Sequence, residues 1–189
     1  MPAQRWQPTP QIQRRGHYAE QVPANYGPRY IAVIGPGAQA TREDTETARQ
    51  VGRLLANRDA ILVCGGLGGV MAAACEGALE RGGLTVGLLP GDDRSEGNPH
   101  LSVALPTGMG ELRNGLVVRV CDAVIAVGGS WGTLSEIALA MRIGKPVVVI
   151  GGWPIDAFRE RVSDLPVAVH SPEQAVDQAL HLASKRRPI

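Results

Sequence analysis

The chain has 189 residues, 44% of them apolar and 20% charged, with a formal net charge of +1 at pH 7. That length suits one domain with a sizeable core, and so balanced a charge gives no global argument for nucleic-acid or membrane-surface binding. Aromatic residues, at 4%, are too few for a base-stacking platform, whereas the 24 glycines exceed the usual share of roughly 7% and cluster beside apolar runs.

Residues 1–28 are rich in Gln, Pro and Arg, with Arg5, Arg14, Arg15 and Arg29 set against Glu20. They read as a tail outside the folded domain of residues 29–185; the alternative is a basic arm that touches an anionic partner or another subunit. The segment has no apolar leader, and no apolar run in the chain approaches ~18 residues, so a cytoplasmic protein is expected.

From Tyr30 the pattern alternates between short apolar runs and helical spacing. Tyr30 to Ile34 is a buried strand closed by Gly35-Pro36-Gly37, and Thr41-x-x-Asp44 opens a helix. Strand 60–64 runs into Gly65-Gly66-Leu67-Gly68-Gly69, and the helix that follows, over 69–81, is apolar almost all round. Strand 85–89 ends at Pro90-Gly91; the polar loop 92–100 and an extended stretch 101–105 follow. The spacing of Met109, Leu112, Leu116, Val117 and Val120 predicts a helix over 109–120. Strand 123–127 enters Gly128-Gly129-Ser130-Trp131-Gly132-Thr133, helix 133–143 leaves it, and strand 147–150 comes after. Ser171-Pro172-Glu173-Gln174 is a capping box with proline at N1.

Continuous apolar strands that alternate with helices imply a Rossmann-like, doubly wound parallel sheet in a single α/β domain. Ligands in such sheets bind off the carboxyl ends of the strands, and the turns at 35–37, 65–69 and 128–132 should share that edge. Small residues at a strand-to-helix turn leave backbone N–H groups pointing at an anion over the helix N-terminus. Gly35, Gly65, Gly66, Gly69, Gly128, Gly129, Ser130, Trp131, Gly132 and Thr133 are therefore candidate phosphate- or nucleotide-binding residues, and Met71 in the helix after the second turn and Asn114 beside Arg113 complete the candidate set. No Gly-Lys-Ser/Thr follows either turn, which disfavours a Walker-type nucleoside triphosphatase.

Individual residues admit two readings. Thr133-Leu134-Ser135-Glu136 is either a capping box or a phosphate turn with a carboxylate held one turn inside it. Arg113 is either a snorkelling arginine at the border of an apolar stripe or a guanidinium aimed at the ligand. Trp131 either stacks on a ring or covers its own loop. Asp92, Asp93, Glu96 and His100 lack the spacing of a metal cage, and Cys64, Cys75 and Cys121 read as buried thiols, so no metal and no bound cofactor is expected.

Taken together, Cys64-Gly65-Gly66-Leu67-Gly68-Gly69-Val70-Met71 is similar to the Gly-Gly-Gly-x-x-Gly-Leu-Met element of the Lonely Guy (LOG) proteins, also labelled "possible lysine decarboxylases". Gly129 to Glu136 resembles their Pro-Gly-Gly-x-Gly-Thr-x-x-Glu signature. With 90–96, 106–111 and Arg113-Asn114, the resemblance leans to the branch of molybdenum-cofactor carrier-like and uncharacterised bacterial proteins, and it covers about residues 30–182. It implies a Rossmann-like homodimer. In the hydrolases of this superfamily, which split the N-glycosidic bond of nucleoside 5′-monophosphates, the catalytic pair would fall on Arg113 and Glu136. Carrier-like relatives hold a pterin phosphate without hydrolysis. Gly128 and Ser130 depart from the signature, and Asn114 stands where those hydrolases usually carry lysine.

The sequence thus supports a protein that binds a phosphorylated nucleotide-like ligand, as a phosphoribohydrolase or as a carrier or sensor of molybdenum cofactor or a related heterocycle. A DNA-processing role is the weaker third reading, since charge and aromatic content argue against a nucleic-acid partner.

Overall fold

The computed structural model describes residues 27–153 and 165–185; the tail expected over 1–28 lies outside them except for its last two residues. Seven strands form one parallel sheet: β1 (Tyr30–Ile34), β2 (Ile61–Cys64), β3 (Thr85–Leu89), β4 (Val103–Pro106), β5 (Ala123–Val127), β6 (Val147–Ile150) and β7 (Val167–Val169). Their order across the sheet is β4-β3-β2-β1-β5-β6-β7. The chain winds outward from β1 to β4, crosses back, and winds outward again from β5, so β1 and β5 flank the topological switch point where such sheets bind ligands.

Alternation along each central strand feeds two cores. Ile31 and Val33 of β1 and Ile125 and Val127 of β5 point into one, with α1 (Arg42–Ala56), α2 (Val70–Leu79) and α5 (Pro172–Lys185). Ala32, Ile34, Val124 and Ala126 point into the other, under α3 (Asn114–Val120) and α4 (Trp131–Arg142). Both faces are covered, which is why these strands read as unbroken apolar runs.

Local signals fix the helix ends. Thr41 and Asp44 close the expected capping box at α1, a device that contributes about 1 kcal/mol. At α5, Ser171 Oγ accepts from Gln174 N at 3.2 Å, while Gln174 reaches back to His170 N rather than to the cap itself. Helices α1 and α2 meet backbone to backbone: a Cβ on Gly52 would stand 2.0 Å from Ala74 O, and one on Gly77 2.0 Å from Arg49 O.

Three elements differ from the sequence reading. The helix expected over 109–120 is a 3-10 turn at Gly110–Arg113 followed by α3, because Gly108 and Gly110 take φ of +62° and +55° and break the helical path ahead of Arg113. Helix α4 starts at Trp131, two residues before the expected 133. The edge strand β7 is short and half exposed, and no periodic signal announced it.

Candidate functional site

The turn that leaves β5 is held from both sides. Gly128 takes φ +65°, donates its N–H to Ile150 O at 3.0 Å, and leaves room that a Cβ would contest with Asp44 Oδ1 at 2.4 Å. Gly129 lies under the Trp153 ring, within 2.6 Å of where its Cβ would be. Ser130 is then the N-cap of α4: its Oγ accepts from Thr133 N at 3.2 Å and lies 2.9 Å from Thr133 Oγ1, and its carbonyl accepts from Leu134 N. The N–H groups of Gly129, Ser130, Trp131 and Gly132 meet no acceptor among the described residues. Bare amides at a helix N-terminus, with the helix dipole behind them, are an arrangement suited to an anion.

This geometry corrects the capping-box alternative for Thr133–Glu136. Ser130 takes the capping role, so Glu136 lies within the second turn of α4 and is not drawn back to the helix start. It is 7% exposed, and its carboxyl forms no hydrogen bond or ion pair with any described residue. Burial pushes it up to about 7, against the opposing pull of Arg113.

Arg113 is not the snorkelling arginine of an exposed stripe. It is 6% exposed; Nη2 donates to Gly65 O at 3.0 Å, Nη1 to Asn114 Oδ1, and Nε has no partner. Gly65 makes this possible, since a Cβ there would stand 2.5 Å from the guanidinium. Burial lowers the Arg113 pKa from its ordinary value, with Glu136, Cys64 and Glu111 opposing. Although both line one cavity, Arg113 and Glu136 do not close an ion pair.

The turn after β2 is knit into the protein. Gly66 donates to Cys64 Sγ, Val70 N, the first amide of α2, donates to Pro36 O, and Asn98 bonds the carbonyls of Gly66 and Leu67. Beneath it Cys64 and Cys75 lie with their sulfurs 3.5 Å apart, both buried. The hydrogen bond between them lowers the Cys64 thiol and raises that of Cys75. Asn98, out of the polar loop 92–100, was not singled out by sequence; the Gly66 and Leu67 carbonyls to which it donates lie more than thirty residues away.

These turns enclose a cavity of about 450 Å³, within the size range of small-ligand sites. Of the predicted residues, Gly35, Gly65, Met71, Arg113, Asn114, Ser130, Gly132, Thr133 and Glu136 line it. Gly128 and Gly129 line a smaller recess behind the α4 turn, Gly66 and Gly69 pack against protein atoms, and Trp131 stands outside, 77% exposed, edge-on to Trp153 at 4.7 Å between centroids. Sequence reasoning missed Ile34, Gly37, Leu67, Pro90 and Glu111 on the wall; Glu111 carried a signal, two residues from Arg113. Among the described residues no three His, Cys, Asp or Glu gather to hold a metal ion, and no helix is long and apolar enough to cross a membrane.

The model of the SLOG cluster4 family matches residues 28–180. An uncharacterized protein of Archaeoglobus fulgidus is 42% identical over 131 residues, which span 66% of this chain and 85% of that protein. Among solved structures, the molybdenum cofactor binding protein of the phototrophic bacterium Rippkaea orientalis superposes with a TM-score of 0.78 at 35% identity, covering 82% of this chain and 98% of that one. The molybdenum cofactor carrier protein of Chlamydomonas reinhardtii superposes at 0.76 and 31% identity, covering 84% and 100%. DNA processing protein A of Streptococcus pneumoniae, at 24% identity and a TM-score of 0.61 over 80% of this chain and 61% of that one, shares the fold.

Proposed function

This chain belongs to the SLOG cluster4 family, and from that premise we propose that it is a binding protein, a carrier of molybdenum cofactor or a related phosphorylated heterocycle. The ligand's phosphate sits on the free amides of Gly129–Gly132, and its ring system extends into the cavity toward Gly35, Gly65 and Met71. The observation that carries this reading is that the site offers an open anion turn beside an arginine already committed to the protein. The Nη atoms of Arg113 hold Gly65 O and Asn114, and the arginine does not engage Glu136. The carrier and binding proteins among its structural relatives support the same reading.

Mass spectrometry of the ligand that co-purifies with the chain tests it. A phosphorylated pterin, with no free base released from AMP or isopentenyladenosine monophosphate, is the expected result. Failure of every phosphorylated ligand to bind overturns it.

One observation favours a second reading, a nucleoside 5′-monophosphate phosphoribohydrolase: Glu136 is free of the helix cap and faces the cavity. There Arg113 would fix the substrate and ionised Glu136 would steady an oxocarbenium-like transition state. Release of base that Glu136→Gln abolishes selects this reading over the carrier. We further read the chain as a cytoplasmic homodimer whose binding unit is residues 29–185, to be checked by light scattering of the full chain. No salt-dependent shift with single-stranded DNA is expected.

A further inference from the structure

Glu136 is a carboxyl group in an unusual position for a site that takes an anion. It follows Thr133 by three residues, a rise of roughly 5 Å along α4, so it lies just behind the turn proposed to hold the phosphate. It is buried, lines the cavity, and has no hydrogen-bond or ion-pair partner among the described residues. The charged and titratable groups that face it are few: Arg113 from the 3-10 turn before α3, the Cys64 thiol at the end of β2, and Glu111 on the cavity wall. Arg113 does not pair with it and is occupied elsewhere.

Resting on the phosphate-binding reading above, we propose that the anionic ligand and one proton bind to this site together, the proton residing on the Glu136 carboxyl. A phosphate dianion beside an ionised and poorly solvated carboxylate is repelled by it. The same dianion beside the neutral acid meets only the amides of Gly129–Gly132, the helix dipole and Arg113. The balance is simple: protonated Glu136 retains its proton on binding, and ionised Glu136 takes one from solvent. Because burial already brings this group up to about 7, the proton is half present near neutrality, and a modest push completes its uptake. For a carrier this couples loading to lower pH and release to higher pH.

The test uses sulfate, which stays a dianion across the range and so contributes no titration of its own. In the full chain, the backbone amides of Gly129–Thr133 and the Glu136 carboxyl are followed by NMR from pH 6 to 9, with and without sulfate. The expected result is that sulfate shifts those amides and raises the Glu136 midpoint by about one pH unit or more. Sulfate affinity falls about threefold between pH 7 and 8 and levels off above the bound midpoint, the whole fall being about tenfold for each pH unit by which that midpoint rises. Glu136→Gln keeps the neutral shape, binds sulfate with a flat pH profile, and binds it more tightly than the parent at pH 8. If the amides respond while the Glu136 midpoint stays in place, the proton coupling is overturned and the phosphate site stands. If the amides respond neither to sulfate nor to GMP, the phosphate-binding reading itself falls. The wild-type carboxyl titration needs no variant to fold.

Discussion

Two glycine-rich turns, Gly65–Gly69 and Gly128–Gly132, leave the same end of the sheet on either side of β1 with similar compositions and different fastenings. The first is fastened down: the carbonyls of Gly65, Gly66 and Leu67 accept from Arg113 and Asn98, and the first amide of α2 is spent on Pro36 O. The second is fastened only at its ends, through Gly128 N and the Ser130 cap, and its middle amides are open. Gly65, Gly66 and Gly69 in the first turn, like Gly128 and Gly129 in the second, make room for protein atoms, whereas Gly132 has open space at its Cβ position beside the bare amides. The residues around the glycines set the turns apart: Val70 packs into the core, whereas Ser130 caps α4 and leaves its first amides bare.

Substitutions can break this comparison, and the largest effect belongs to the fastened turn. Gly69 has φ +64°, and a Cβ there would stand 2.1 Å from Gly37 O, so Gly69→Ala should cost about 3–5 kcal/mol. A loss of Tm and of denaturation midpoint would be seen before any ligand is added. Glu136 has the next largest effect. Its folded value, about 7, lies above the ordinary 4.5, so between these the folded state binds more protons than the unfolded one. Its contribution is fully present below pH 4.5 and is lost as pH rises through 7. Denaturant titrations at pH 5 and 8 should show Glu136→Gln gaining up to about 3 kcal/mol on the parent across that window. An unchanged difference would mean that the carboxyl is solvated.

Ser130→Ala should cost about 1 kcal/mol through the lost cap and, because the α4 amides then fray, a further several-fold in ligand affinity by titration. The smallest stability change sharpens the contrast most. Gly132 has no atom nearer than 3.8 Å to its Cβ position, and alanine is the better helix former, so Gly132→Ala should leave stability within about 0.5 kcal/mol. The new methyl group stands at the anion turn, and ligand binding should fall roughly tenfold or more. If Gly132→Ala destabilised the fold as Gly69→Ala does, the two turns would be alike after all.

Much of the fold was legible because the strands are buried on both faces and punctuated by glycine. Thr41 and Asp44 form the cap their spacing announced, and the strand-end turns line one edge. The site was legible in part. Thr133 and Glu136 have capping-box spacing, yet Ser130, three residues ahead of Thr133, is as good a cap; the turn set by Gly128 at φ +65° decides between them, and local pattern does not carry that information. The fate of Arg113 depended on Gly65 O, 48 residues away. The glycines at 108 and 110 could be counted, but their left-handed conformation, which turned a helix into a 3-10 turn, is a tertiary outcome.

The perpendicular contact of Trp131 with Trp153 has an optical consequence. The chain has three tryptophans, and two of them stand within van der Waals reach of each other at the mouth of the open turn, with Trp153 lying over Gly129. Their emission, quenching and near-ultraviolet dichroism are therefore governed by the same few ångströms of backbone that an anion would occupy. On the phosphate-binding proposal this pair would report occupancy of the turn, and Trp6, far off in sequence, can be replaced by phenylalanine to leave that signal unmixed.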